Sequence, residues 1–77
     1  MKRRKIEVTA YAGQRSGEQP RSFVLDGKKT GITEIICQWI EEGVNDQLQR
    51  RFFRVKGDDG FTYLLSYEEQ KGEWYLE

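Results

Sequence analysis

The chain has no histidine, one cysteine and one proline in 77 residues. Without histidine the commonest general base is missing, and with it the commonest metal ligand. Cys37 has no second thiol for an internal disulfide and no histidine with which to share a metal. Set between Ile36 and Gln38, it reads as a small core residue, buried or half-buried. No glycine-rich phosphate cradle is present either, since Gly57-Asp58-Asp59-Gly60 carries acids where such a loop needs bare amides. The sequence therefore yields no catalytic, cofactor-binding or metal-ligating set, and a non-enzymatic domain is expected. No apolar run approaches the ~20 residues that cross a bilayer, and the basic opening, residues 1–5, leads into no signal-peptide core. A metal-free, cytoplasmic protein without a membrane segment is the expectation.

Net charge is absent as well, at +0 overall, but the charges are segregated along the chain. Residues 1–30 hold eight basic and three acidic side chains, 8 − 3 = +5; residues 31–77 hold five basic and ten acidic, 5 − 10 = −5. Two halves of opposite sign favour folding against each other into mixed faces. A basic edge that meets phosphate is the sharper alternative.

What the sequence does have is β-prone punctuation. Residues 51–67 read as a hairpin, two runs rich in aromatic and aliphatic side chains around a turn. A three-residue loop of Asp58, Asp59 and Gly60, with glycine in the left-handed region, places Val55 opposite Tyr63 and Phe53 opposite Leu65. Alternation then puts Phe53, Val55, Tyr63, Leu65 and Tyr67 on one face. A two-residue loop would mix the faces.

Upstream, Ile6, Val8, Ala10 and Ala12 alternate with polar neighbours as in a half-buried strand. Residues 14–20 make a polar loop flanked by Arg15 and Arg21. Residues 21–25 form a second strand with Phe23 and Leu25 inward, closed by Asp26-Gly27, a strong hairpin signal. The next stretch is ambiguous. Ile32, Ile35, Ile36, Trp39 and Ile40 have helical spacing, yet five of the nine residues 32–40 are β-branched, and Asp26-Gly27 sends the chain back as a strand. A long bent strand, broken near Gly31 or bulged at Ile35-Ile36, is favoured, with a short helix over 32–42 left open. Residues 41–49 read as a second polar loop. At the end, Trp74 and Leu76 share a face, and a four-residue loop, 69–72, sets them opposite Tyr67 and Leu65. The whole is one all-β domain, residues 1–77: a small antiparallel sheet or half-open barrel of five to six strands.

Several segments together carry a family likeness: residues 23–27, Ile35-Ile36 with Trp39, residues 51–55 with 58–60, residues 63–65, and residues 73–76. With these the chain resembles a family of small bacterial β-domains of unknown function, found alone and attached to proteins related to the error-prone Y-family DNA polymerases. That resemblance implies a fold and an accessory role, and transfers no catalytic residues. The family form has an Asp-Arg pair before the tryptophan; Cys37 and Gln38 stand there in this chain.

Two binding roles follow. A protein-interaction module would use apolar residues left off the core face, Phe52, Leu64 and Tyr75, to dock a partner or a second copy. The alternative is a nucleic-acid-binding accessory domain using Arg50, Phe52, Arg54 and Lys56 on the hairpin's outer face, with Arg3 and Arg4 of the basic opening.

Overall fold

The structure is a computed structural model that describes residues 3–11, 19–43 and 49–77. Six strands follow in order: β1 (Arg4–Tyr11), β2 (Gln19–Leu25), β3 (Lys28–Glu42), β4 (Gln49–Gly57), β5 (Thr62–Glu68) and β6 (Glu73–Leu76). Each pairs antiparallel with the next, and β6 returns to β1 through Arg4↔Leu76, Lys5↔Tyr75 and Ile6↔Trp74. The sheet is thus a closed six-stranded barrel, so the half-open form is not adopted. The helix left open over 32–42 is not formed either, because those residues lie within β3. Of the two predicted loops, residues 19–20 belong to β2 while 41–42 and 49 are strand. Residues 12–18, with Arg15, and residues 44–48 lie outside the described residues.

Turn chemistry sets the register. Asp26 (φ 55°) and Gly27 (φ 79°) make a two-residue turn that pairs Leu25 with Lys28, the geometry that matches strand twist. At the central hairpin, Gly57 N–H donates to the Phe61 carbonyl at 2.8 Å and Gly60 (φ 89°) N–H donates to the Gly57 carbonyl at 3.0 Å. The three-residue loop therefore stands, with Val55↔Tyr63 and Phe53↔Leu65 in register. On the far side Tyr67↔Trp74 and Leu65↔Leu76 pair as the parity of the terminal strand requires.

One face of every strand fills the barrel. Ile6, Phe23, Phe53, Val55, Leu65 and Trp74 are buried, with Val8, Leu25, Ile32, Ile35, Tyr63, Tyr67 and Leu76 packed against them. Trp74 links the hairpin to the terminal strand, its ring 5.5 Å from Phe53 and 4.7 Å from Tyr67. Phe23 meets Tyr63 edge-on at 4.9 Å, an arrangement that aligns ring edge with ring face.

β3 is the strand that changes partners. Up to Gly31 it pairs with β2, and from Ile32 onward with β4. The corner is fastened by the central turn: Asp58 N–H donates to the Gly31 carbonyl at 2.8 Å, and Gly31 N–H donates to Asp58 Oδ2 at 3.2 Å. Asp59 accepts from Phe61 N–H at 3.0 Å and from the Tyr63 hydroxyl at 2.6 Å. Both carboxylates of the turn thus have structural partners.

Candidate interaction surface

Because Phe53 and Val55 point into the barrel, alternation turns Arg50, Phe52, Arg54 and Lys56 outward on β4. Cross-strand pairing continues this outer face through Arg50↔Glu68, Phe52↔Ser66 and Arg54↔Leu64 on β5, then Ser66↔Tyr75 on β6. Phe52, Leu64 and Tyr75 share the face, as alternation predicts. They do not form one open apolar patch, because Ser66 sits between Phe52 and Tyr75 and is fully buried.

Arg3 is what covers it. Its guanidinium lies 4.0 Å above the centre of the Tyr75 ring, within cation–π range. It also donates to Glu68 Oε2 at 3.0 Å, to Glu77 Oε2 at 3.0 Å and to Ser66 Oγ at 3.3 Å. Ser66 donates in turn to Glu77, and Arg50 reaches Glu68 Oε2 at 3.1 Å. Beside this cluster Lys5 pairs with Glu73 at 3.1 Å and the Tyr75 hydroxyl donates to Glu73 Oε1 at 2.6 Å. Cations of the first half thereby meet carboxylates of the second. Burial alone would push the Glu68 carboxyl up, but hydrogen bonds from Arg50 and Arg3 outweigh it and hold the pKa below the ordinary value. For Glu73 the Tyr75 and Lys5 hydrogen bonds lower it.

The six basic and aromatic positions proposed for nucleic acid are therefore divided. Arg3 and Arg50 are held in the Glu68 cluster, and Arg4 pairs with Asp26. Arg54 and Lys56 are exposed and form no ion pair among the described residues. Phe52 stacks on Trp39 of β3, ring centres 5.5 Å apart and planes within 5°. The Trp39 indole N–H donates to Glu41 Oε2 at 2.9 Å.

Trp39 belongs to a stretch of β3 that is paired on one side among the described residues. From residue 32 to residue 42, β3 pairs with β4 on one side, and among the described residues no strand pairs with the other side. Its register slips twice, at Thr33 and at Ile36, each slip inserting one extra residue. The slip at Ile36 leaves that side chain 46% exposed, and Ile40, past the barrel wall, is 58% exposed. It also sets Cys37 opposite Arg54 on the outer face. Cys37 is exposed, which corrects the expectation of a buried or half-buried core cysteine: the bulge reverses the alternation that placed it inside. Ile36, Ile40 and Trp39 were not singled out as surface residues by sequence, because a bulge count is needed before their faces can be assigned.

No family model, curated protein or solved structure matches this chain. The surface has to be judged on its own chemistry. Among the described residues no group of three or more histidine, cysteine or acidic side chains could hold a metal ion, and no helix is long and apolar enough to cross a membrane.

Proposed function

We propose that this domain is a non-enzymatic protein-interaction module whose contact surface is the outer half of β3, residues 32–42, together with the Trp39–Phe52 stack. The observation that carries the proposal is a strand edge that no strand pairs with among the described residues, with Ile36 and Ile40 exposed along it. An unpaired edge presents a row of main-chain donors and acceptors, and soluble proteins keep such edges short, charged or covered unless they use them. Large apolar side chains beside it add the desolvation that fixes a partner. Phe52 stays within the contact surface, whereas Tyr75 lies under Arg3 and Leu64 is half-buried at its margin. Resemblance to domains attached to polymerase-related proteins suits such an accessory role. An exposed, unpaired thiol at Cys37 suits a reducing, cytoplasmic setting.

The test is a photo-crosslinking residue placed at Ile40 in cells of the source organism, with the same residue at Thr9 of β1 as control. A discrete protein adduct from position 40 that disappears when Ile36 becomes lysine supports the module. Adducts identical at the two positions contradict it.

Nucleic-acid binding is the second reading, supported by the exposed Arg54 and Lys56 beside a parallel aromatic pair. Bases stack on such rings and phosphates follow the cations. Polarisation of a labelled single strand at two ionic strengths decides it, because binding through phosphate weakens steeply with salt. Absence of binding at low salt removes this role.

A further inference from the structure

We infer that the open edge of β3 takes up one extended, cationic-apolar peptide segment as an added antiparallel strand along residues 37–42. This rests on the interaction role proposed above and names the class of partner.

The position follows from the register. Slips at Thr33 and Ile36 twist and blunt the first part of the edge, whereas Cys37, Gln38, Trp39, Ile40, Glu41 and Glu42 pair with β4 without interruption. A regular run of this length is what strand addition requires: main-chain hydrogen bonds supply affinity and alternate side chains supply selection. Cys37, Trp39 and Glu41 line one face of the run, and Gln38, Ile40 and Glu42 the other.

The chemistry follows from charge. Residues 33–42 contain Glu34, Glu41 and Glu42 and no cation. Glu34 and Glu42 make no ion pair among the described residues, and Glu41 accepts only the Trp39 indole N–H. On β4, away from the open side, Lys56 stands opposite Glu34 and Arg50 opposite Glu41, while Glu42 faces Gln49. Pairing two copies through this edge would gather both sets of these glutamates along one seam with no intervening positive side chain, and like charges across a sheet are destabilising. A segment alternating lysine or arginine with aliphatic residues sets its cations on the Trp39–Glu41 face, against the Glu41 carboxylate and the indole ring, and its aliphatic side chains against Ile40 on the other.

The experiment uses the full chain and two blocked peptides of about six residues, one alternating lysine with valine and one alternating glutamate with valine, followed by backbone amide shifts. The lysine peptide should perturb amides of residues 37–42 most and bind about fivefold more tightly than the glutamate peptide, the factor expected when one weak attractive cross-strand pair at Glu41 replaces a repulsive one. The variant E34K/E41K/E42K should reverse that preference; Glu41→Lys alone, exposed near the strand end, should move it in the same direction if the triple variant does not fold. Equal binding of both peptides, shifts centred elsewhere, no shifts, or a dimer in sedimentation joined through β3 would each overturn the inference. A protein adduct from position 40 with no response to either peptide would leave the interaction role standing and remove strand addition.

Discussion

Arg3 is stacked on Tyr75, its guanidinium carbon 4.0 Å from the ring centre, and joins the beginning of β1 to carboxylates 65 and 74 residues away in sequence. Glu68, at the centre of this cluster, has a side chain only 9% exposed. A carboxylate so placed is tolerable because Arg3, Arg50 and Lys71 surround it; unpaired, its burial would be costly. Arg3 also prevents the outer ring of Tyr75 from lying bare.

Replacing Arg3 with glutamine should therefore destabilise the barrel measurably. Its side chain is one-third exposed, which limits the contribution of its ion pairs, and Arg50 continues to hold Glu68. The expected loss is about 1–2 kcal/mol, the lower end of the range for hydrogen bonds to a charged group once exposure is discounted. Urea unfolding should show a lower midpoint with an unchanged slope, and the fluorescence environment of Tyr75 should become more polar.

Acid should weaken the same cluster. The folded-state pKa of Glu68 lies below its ordinary value of 4.5, because hydrogen bonds from Arg50 and Arg3 outweigh the upward push of burial. Asp59 lies below its ordinary 3.8 through the Tyr63 hydroxyl and the Phe61 N–H. A group with a depressed folded pKa contributes stability fully above its unfolded pKa and loses it as pH falls through the folded one. Stability should thus be level from neutral pH to just above 4.5 and decline below it. Glu68→Gln should be less stable at neutral pH and show a shallower decline, as read from urea midpoints across pH.

Two glycines of the central turn should respond differently to substitution. Gly60 has φ 89° and open space where a Cβ would stand, so Gly60→Val should cost through backbone strain, about 1–3 kcal/mol. Gly57 lacks that conformation but is packed closely: a Cβ there would lie 2.7 Å from Asp59 Oδ1, 2.9 Å from Thr30 Cγ2 and 3.1 Å from Tyr63 Cε2. Gly57→Ala should cost a similar amount by overpacking. Total stability for a domain of this size is roughly 4–11 kcal/mol, so combining the two, at about 2–6 kcal/mol together, should remove a large share of it. Thermal melts of the two single variants and the double variant separate these effects.

The succession of strands along the chain, the registers of the central hairpin and of the terminal strand, and most of the core were legible from alternation and turn residues. Gly60 announces a positive φ, Asp26-Gly27 a two-residue reversal, and Trp74 with Leu76 a shared inner face. Residues 32–40 were harder for a physical reason. Each bulge adds one residue, so Ile32 and Ile35, both packed toward the core, stand three apart instead of two. Two bulges in succession thus imitate helical spacing. The same insertion hides the exposure of Cys37 and Ile36. Closure was not legible either, since it depends on β1 meeting β6, a pairing between residues about 70 positions apart that no local pattern encodes. The role of Gly57 likewise depends on Thr30, a residue of another strand. On the outer face, alternation correctly grouped Phe52, Leu64 and Tyr75, but it could not reveal that Arg3 seals the space between them.

Among the described residues, residues 32–42 of β3 are hydrogen-bonded to β4 on one side and to no strand on the other. Amide hydrogen exchange of the free protein tests it most directly. Amides directed at β4 should be protected and those directed outward should exchange freely, giving a period of about two residues along the strand, while β4, and β5 from Leu65 to Glu68, paired on both sides, should be protected throughout. Continuous protection along residues 32–42 would mean that the edge is already occupied and would contradict the account.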